Sequence, residues 1–222
     1  MIPAQVSWVI PDMKWSDHPG ANNNIGTGPD YVANLVNAIG NSTCTNKNDG
    51  KSYWDSTAIF ITWDDWGGWY DHVNPNTAPG LGVNVNCQFW GCGDTYGFRV
   101  PLMVVSAYTP AGYVSGDTRT FGETFPYIHD FGSILAYIES NFLGPSQIGT
   151  INSQNQYPFA DHFAPDWGNG KNIPLSDFFQ GSHRTFTVIP TNQPVTFSPT
   201  TLPACRGQAT VGVTIEPGPS NS

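Results

Sequence analysis

The sequence predicts an α/β protein, with helices layered on a mostly parallel sheet. Two observations carry that prediction. The runs TAIFIT (residues 57–62) and PLMVVS (residues 101–106) are nearly continuous in apolar and β-branched residues. A run without alternation reads as a strand covered on both faces, as in a parallel sheet. The second observation is the element order of strand, helix, strand, strand, helix, which fits helices packed against a sheet.

The elements follow in order. VSWVI (residues 6–10) is short, apolar and closed by Pro11, and reads as the first strand. SDHPGANNNIGTGP (residues 16–29) is a polar loop dense in turn formers. Its last residue, Pro29, stands where a first helical turn tolerates proline. Tyr31, Val32, Leu35, Val36 and Ile39 then recur at helical spacing, and Gly40 provides a stop. Between the strands at 57–62 and 101–106 lies a long excursion rich in Gly, Asn and Cys. FGSILAYIESNF (residues 131–142) reads as a second helix, with Ile134, Leu135, Ile138 and Phe142 on one stripe and Gly144 after it. From Gln147 the chain is loop-rich. The expected division is one domain over residues 1–189 and a Pro/Thr/Ser/Gly tail over 190–222, in which VGVTI (211–215) forms a short β segment or linker.

Composition narrows the partners. At 222 residues, 39% hydrophobic and 14% aromatic, the chain is long enough to bury a core. Its formal net charge is −9, and its eight Lys and Arg residues are scattered. A phosphate-tracking groove needs clustered basic residues, so nucleic acid is not an expected partner, and docking on anionic lipid is disfavoured for the same reason. No run approaches the ~20 apolar residues of a membrane span. The N-terminal residues lack a basic region followed by an apolar one, so they do not read as a signal peptide. They read like the interior of a folded domain opened mid-chain. Cys44, Cys87, Cys92 and Cys205 form an even set without the close pairs of a zinc site. Low Lys with abundant Asn, Thr, Gly and Trp suits an exported protein, secreted or periplasmic. There Cys87 and Cys92 could close a small loop; reduced cysteines are the alternative.

The segment FITWDDWGGWYDHVNP (residues 60–75) is unusual in a chain that is only 11% charged. Asp64 and Asp65 follow the strand at its carboxyl end, the edge at which ligands gather in open α/β sheets. Two adjacent carboxylates are hard oxygen donors suited to a divalent cation. Neighbours in an extended strand point to opposite faces, so both reach one ion only if the backbone turns, which Gly67 and Gly68 make easy. The plainer alternative is an Asp-rich turn that caps a strand.

Four segments together, VSWVIPDMKWSDHPG, GPDYVANLVNAIG, STAIFITWDDWGGWYDHV and YGFRVPLMVVSAYTPAGYVS, resemble the bacterial phosphoesterase family of non-specific phospholipases C and related acid phosphatases. HDFGSILAYIESNFLG and, more loosely, PLSDFFQGSHRTFTVI continue the match in order, so that it covers residues 6–189. The resemblance implies the C-terminal part of an alkaline-phosphatase-like fold, with the active site at strand ends. It makes Asp64 and Asp65 the ligands of a divalent metal ion, with Ca²⁺, Mg²⁺, Mn²⁺ and Zn²⁺ all open. It makes His18, in SDHP, a catalytic residue that binds phosphate or donates a proton. The YDHV segment matches at Asp71 and His72, and His72 is the second catalytic candidate, for which holding the loop is an equal alternative. Arg99, in GFRVP, falls on a motif read as structural, in a buried pairing with a carboxylate, with substrate contact as the alternative. Trp63, Trp66 and Trp69 read as packing and pocket wall, and His129, His162 and His183 receive no role.

The family's reaction also needs a Ser or Thr nucleophile and further ligands from an early Glu-Asn motif, and no such motif is found in this sequence. The expectation is therefore a metal-dependent hydrolase of phosphoric esters, acting on a small phosphoester or a phospholipid head group. The chain would represent its C-terminal half, with the N-terminal half as partner, and have little activity alone. A secreted, non-catalytic carbohydrate-binding module using exposed tryptophans is the rival. A glycosidase fits worse, because its carboxyls must flank a sugar bond ~5–9.5 Å apart.

Overall fold

Helix α1 spans Thr27–Gly40, as the spacing predicts, and begins two residues before Pro29. This computed structural model describes residues 6–18, 27–45, 50–72, 97–115, 129, 131–143, 175–192 and 194–195. The expected Cys87–Cys92 loop, the 211–215 strand and most of the loop-rich stretch after Gln147 lie outside the described residues. The chain divides into two compact units. One comprises Met1–Ile59, Val105–Ala107 and His183–Ser222, the other Phe60–Val104 and Tyr108–Ser182.

In the first unit, α1 buries Val36 of the predicted stripe together with Ala33, while Tyr31, Val32, Leu35 and Ile39 are half-buried. Its start is fixed by Thr27, whose hydroxyl donates to the Lys14 carbonyl at 3.1 Å. The Asp17 carboxylate lies directly over Gly28, where a β-carbon would collide with it. A negative charge at that end complements the helix dipole. A short helix α2, Tyr53–Ser56, for which the sequence predicts no element, packs against α1. Its N-cap Ser52 accepts from the Asp55 amide at 3.1 Å. Cys44 is buried and disulfide-bonded.

Residues 183–192 form a strap without regular secondary structure, fastened to the two helices. The Arg184 amide donates to the Ala107 carbonyl and the Trp54 indole donates to the Arg184 carbonyl, at 2.8 and 2.7 Å. His183 Nε2 lies 2.6 Å from Asp55 Oδ1. Further along, the Asn37 carboxamide accepts from the Ile189 amide and donates to the Ile189 carbonyl, both at 2.8 Å. The Asn192 amide then donates to the buried Asp30 carboxylate at 2.9 Å. Phe186 lies edge-on to Trp54, 4.9 Å between centroids, and covers Gly40 so closely that a β-carbon there would strike its ring.

Residues 6–10 differ from expectation. They form no strand, and Trp8 and Ile10 are exposed. A short apolar run becomes a strand only when a neighbour satisfies its backbone groups, and no described strand pairs with it.

The second unit holds all but an end residue of β1, Ile59–Thr62, and of β2, Leu102–Val105, the cores of the two predicted strands, here paired antiparallel. The Thr62 hydroxyl, at the end of β1, donates to the Pro101 carbonyl just before β2 at 2.8 Å. Helix α3 spans Phe131–Leu143, and its predicted stripe splits. Ile134 is buried and Ile138 partly so, while Leu135 and Phe142 are exposed. Ile134 joins Leu175 and Phe178 in a core lined by Phe60, Leu102, Val104, Tyr137 and Phe179. Burying each such side chain contributes about 1.5–3 kcal/mol. Leu175 precedes a 3₁₀ turn, Ser176–Phe179, and is fully buried with φ of 62°. A left-handed leucine is strained, and its burial holds it there. Among the described residues no helix is long and apolar enough to cross a membrane.

The strap's packing gives a direct test. Phe186→Ala should cost about 2 kcal/mol, less than the roughly 3–5 of a fully buried phenylalanine, because the ring is only partly covered. Urea unfolding of the chain measures it, and a change below about 0.5 kcal/mol would show that the strap does not depend on this ring.

Candidate functional site

Asp64 and Asp65 stand just past β1, with only Trp63 between, where the chain bends away. Gly67 and Gly68 adopt φ of 71° and 79°, the left-handed conformations that the sequence suggested glycine would supply. The Asp65 carboxylate accepts from the Gly67 amide, closing the turn on itself. Asp64 is exposed and makes no hydrogen bond or ion pair among the described residues. One oxygen of Asp65 thus serves the turn, as in the plainer reading of the motif, while the Asp64 carboxylate stays available to a cation. Among the described residues no group of three or more His, Cys, Asp or Glu side chains gathers to hold an ion. As hard oxygen donors the two aspartates fit a divalent cation as part of a ligand set.

A clamp joins the described residues on either side of the excursion, 71 and 99. The Asp71 carboxylate accepts from Arg99 Nε at 2.8 Å, from its terminal nitrogen at 2.9 Å and from its backbone amide at 3.1 Å. Arg99 is therefore paired with a carboxylate, as the sequence suggested. The Asp71 side chain is 11% exposed and that of Arg99 60%, so the burial is on the aspartate's side. Hydrogen bonding to Asp71 raises the Arg99 pKa further. His72 is 81% exposed, with Nδ1 3.7 Å from Asp71 Oδ1. Trp66 packs against Phe98 with ring centroids 5.7 Å apart, while Trp69 and Tyr70 are exposed.

His18 belongs to the first unit, whereas Asp64, Asp65 and His72 belong to the second. It is exposed at the end of a turn organised by Asp12, whose carbonyl accepts from the amides of Trp15 and Ser16. The His18 amide donates to the Ser16 hydroxyl at 3.1 Å.

A second constellation went unassigned in the sequence. In the second unit, buried Asp177 accepts at Oδ2 from the hydroxyls of Ser115 and Tyr113, at 2.6 and 2.7 Å. Ser115 Oγ also lies 2.7 Å from His129 Nε2. These are the residue types of a nucleophilic triad in another order, with the hydroxyl between imidazole and carboxylate. The hydroxyl's one proton goes to Asp177, so His129 donates from Nε2 and cannot take that proton as a base. The cluster is a fastening that joins residues 113–115, His129 and the 3₁₀ turn. Burial pushes the Asp177 carboxyl up, but His129, Ser115 and Tyr113 outweigh it and leave the pKa below the ordinary value. The local signal was weak, since these residues lie 62 and 64 positions apart along the chain.

Comparison with known proteins adds the following. The model of the Phosphoesterase family matches residues 2–143, more than half of the chain. The chain is 33% identical to the non-hemolytic phospholipase C of Burkholderia pseudomallei, over 62% of this chain and 19% of that protein. It is 32% identical to phospholipase C A of Mycobacterium tuberculosis over 51% of this chain and 22% of that protein. With non-specific phospholipase C6 of Arabidopsis thaliana the figures are 31%, 57% and 22%. The chain thus spans about a fifth of the length of these relatives. No solved structure matches it significantly.

The Asp177 cluster predicts an acid sensitivity. A carboxyl with a lowered folded-state pKa contributes stability that is complete above its unfolded value, about 3.9. That stability is lost as pH falls through the folded value. Removing two donors with Tyr113→Phe and Ser115→Ala takes away part of what lowers the Asp177 pKa, so the midpoint of acid unfolding should move to higher pH. Circular dichroism during acid titration measures it, and an unmoved midpoint would show that Asp177 does not limit acid stability.

Proposed function

This chain belongs to the Phosphoesterase family, and from that premise we propose that it serves a metal-dependent hydrolase of phosphoric esters, of the phospholipase C or acid phosphatase type. The observation that carries the reading is Asp64 and Asp65 on a glycine turn at the carboxyl end of β1, with Asp64 exposed and uncommitted among the described residues. The proposed architecture is the C-terminal part of an alkaline-phosphatase-like α/β fold, with a larger, mostly parallel sheet.

In this reading Asp64 and Asp65 hold part of the coordination of a divalent cation, Ca²⁺, Mg²⁺, Mn²⁺ or Zn²⁺. When bound, the ion supplies positive charge to phosphoryl oxygens. His18 steadies those oxygens or protonates the leaving group. His72, solvent-facing beside Asp71, reaches the same substrate or keeps the loop in shape. The nucleophile and the remaining ligands come from outside these 222 residues. Two points support this: the sequence contains no Glu-Asn pair, and the chain spans a fifth of its relatives. The substrate is a small phosphoester or a phospholipid head group. A disulfide at Cys44 supports an oxidising compartment, hence a secreted or periplasmic protein.

A second reading, a carbohydrate-binding module, is favoured by exposed aromatic side chains among the described residues, above all Trp69 and Tyr70, which are 74% and 87% exposed. Quenching of tryptophan fluorescence by sugars would support it over the hydrolase.

Two measurements test the proposal. Calorimetric titration of the chain with Mn²⁺ should show weak binding, with Kd on the order of millimolar, that is lost in Asp64→Ala. No binding by the unaltered chain would sink the metal assignment. Turnover of p-nitrophenyl phosphate and p-nitrophenyl phosphorylcholine with Mg²⁺, Ca²⁺ or Mn²⁺ should stay near background, because loss of a nucleophile typically removes several orders of magnitude in rate. Robust turnover abolished by Asp64→Ala would instead place the nucleophile within this chain, with Ser16 the first candidate.

A further inference from the structure

We infer that Arg99, gripped by Asp71, is a positioning residue for the Asp64–Asp65 carboxylate pair. The inference rests on the reading of those carboxylates as cation ligands. The loop carrying them has no regular secondary structure and two glycines with positive φ, and it is largely exposed. A segment of that kind samples many conformations unless it is tied, and a ligand pair is useful only when held in one of them.

Among the described residues three ties run to the same short stretch, residues 98–101. Thr62, before the aspartates, donates to the Pro101 carbonyl at 2.8 Å. Trp66, just after them, packs on Phe98 at 5.7 Å between centroids. Asp71, at the far foot, takes three hydrogen bonds from Arg99, two of them from the guanidinium fork at 2.8 and 2.9 Å. The first tie is a single neutral hydrogen bond and the second a ring contact. The third is charge-assisted, bidentate and seated on an aspartate that is 11% exposed, so it is the strongest of the three. The fork of Arg99 faces Asp71, so the residue acts through the loop rather than by gripping a phosphate.

This role can be separated from simple electrostatics, because the two predict opposite signs. Arg99→Gln removes a positive charge from the loop's foot and leaves Asp71 uncompensated, so Coulomb's law alone predicts tighter cation binding. Loss of positioning predicts weaker binding. Terbium(III), a hard oxygen-seeking cation excited through the adjacent tryptophans, reports affinity without any turnover.

The experiment titrates Tb³⁺ into the full 222-residue chain and into Arg99→Gln, Arg99→Lys, Asp71→Asn and Asp64→Ala, with far-ultraviolet circular dichroism on each. Arg99→Gln and Asp71→Asn should each weaken binding about tenfold, the lower end for loss of an outer support of a metal site. Arg99→Lys, which keeps the charge but not the fork, should recover part of it. Affinity that is unchanged or tighter in Arg99→Gln and Asp71→Asn, while Asp64→Ala loses the signal, would overturn this inference and leave the metal reading standing. A signal undiminished in Asp64→Ala would overturn both. If Arg99→Gln loses its helical spectrum, Arg99→Lys decides: the charge is kept, so Coulomb's law predicts unchanged affinity, whereas loss of the fork predicts weaker binding, and wild-type affinity in that variant would overturn the inference.

Discussion

A carboxylate withdrawn from water has to be surrounded by donors, and this chain turns that requirement into its principal fastening. Asp177 is the fullest case: it is buried, two hydroxyls donate to it, and it lies next to His129. Asp30, also buried, takes the Asn192 amide, and Asp71 takes Arg99. Each link joins stretches far apart in sequence. With only eight Lys and Arg against seventeen Asp and Glu, most carboxylates cannot find a cation, so hydroxyls, imidazoles and main-chain amides do the work.

Such fastening matters because the regular elements are short. Strands β1 and β2 have four residues each, and α2 has four. What they carry between them, including the aspartate turn and the strap, cannot be held by ladder hydrogen bonds alone. Side chains therefore reach across to main chain: Thr62 to Pro101, Trp54 to Arg184, Asn37 to Ile189. A turn held at its feet in this way keeps its acidic groups at a fixed place on the sheet while leaving them open to solvent.

Legibility in the sequence followed the range of the interaction. Helices α1 and α3 and strands β1 and β2 were legible because periodicity and β-branching act within a few residues. The glycine turn after Asp64 and Asp65 was legible for the same reason, and the pairing of Arg99 with a carboxylate came from its motif. Helix α2 was missed, although Ser52 and Asp55 carry an N-terminal capping pattern, because polar residues around them masked it. Residues 6–10 looked like a strand by composition, yet a strand is defined by its neighbour. The Asp177 cluster and the strap depend on contacts spanning about sixty to more than one hundred and fifty positions, which no local pattern encodes.

The grip of Asn37 on Ile189 has a consequence for how this region can drift over evolutionary time. Both hydrogen bonds end on main-chain atoms, and the Ile189 side chain is exposed. The helix therefore recognises the course of the strap and not its residues. Substitutions at position 189 that preserve an extended backbone leave the contact intact, proline excepted, since it would remove the donor. Position 37 has no such latitude: only a carboxamide offers an acceptor and a donor side by side, and aspartate would set a charge against a carbonyl. Variation should accumulate on the strap while the helix residue that reads it stays fixed.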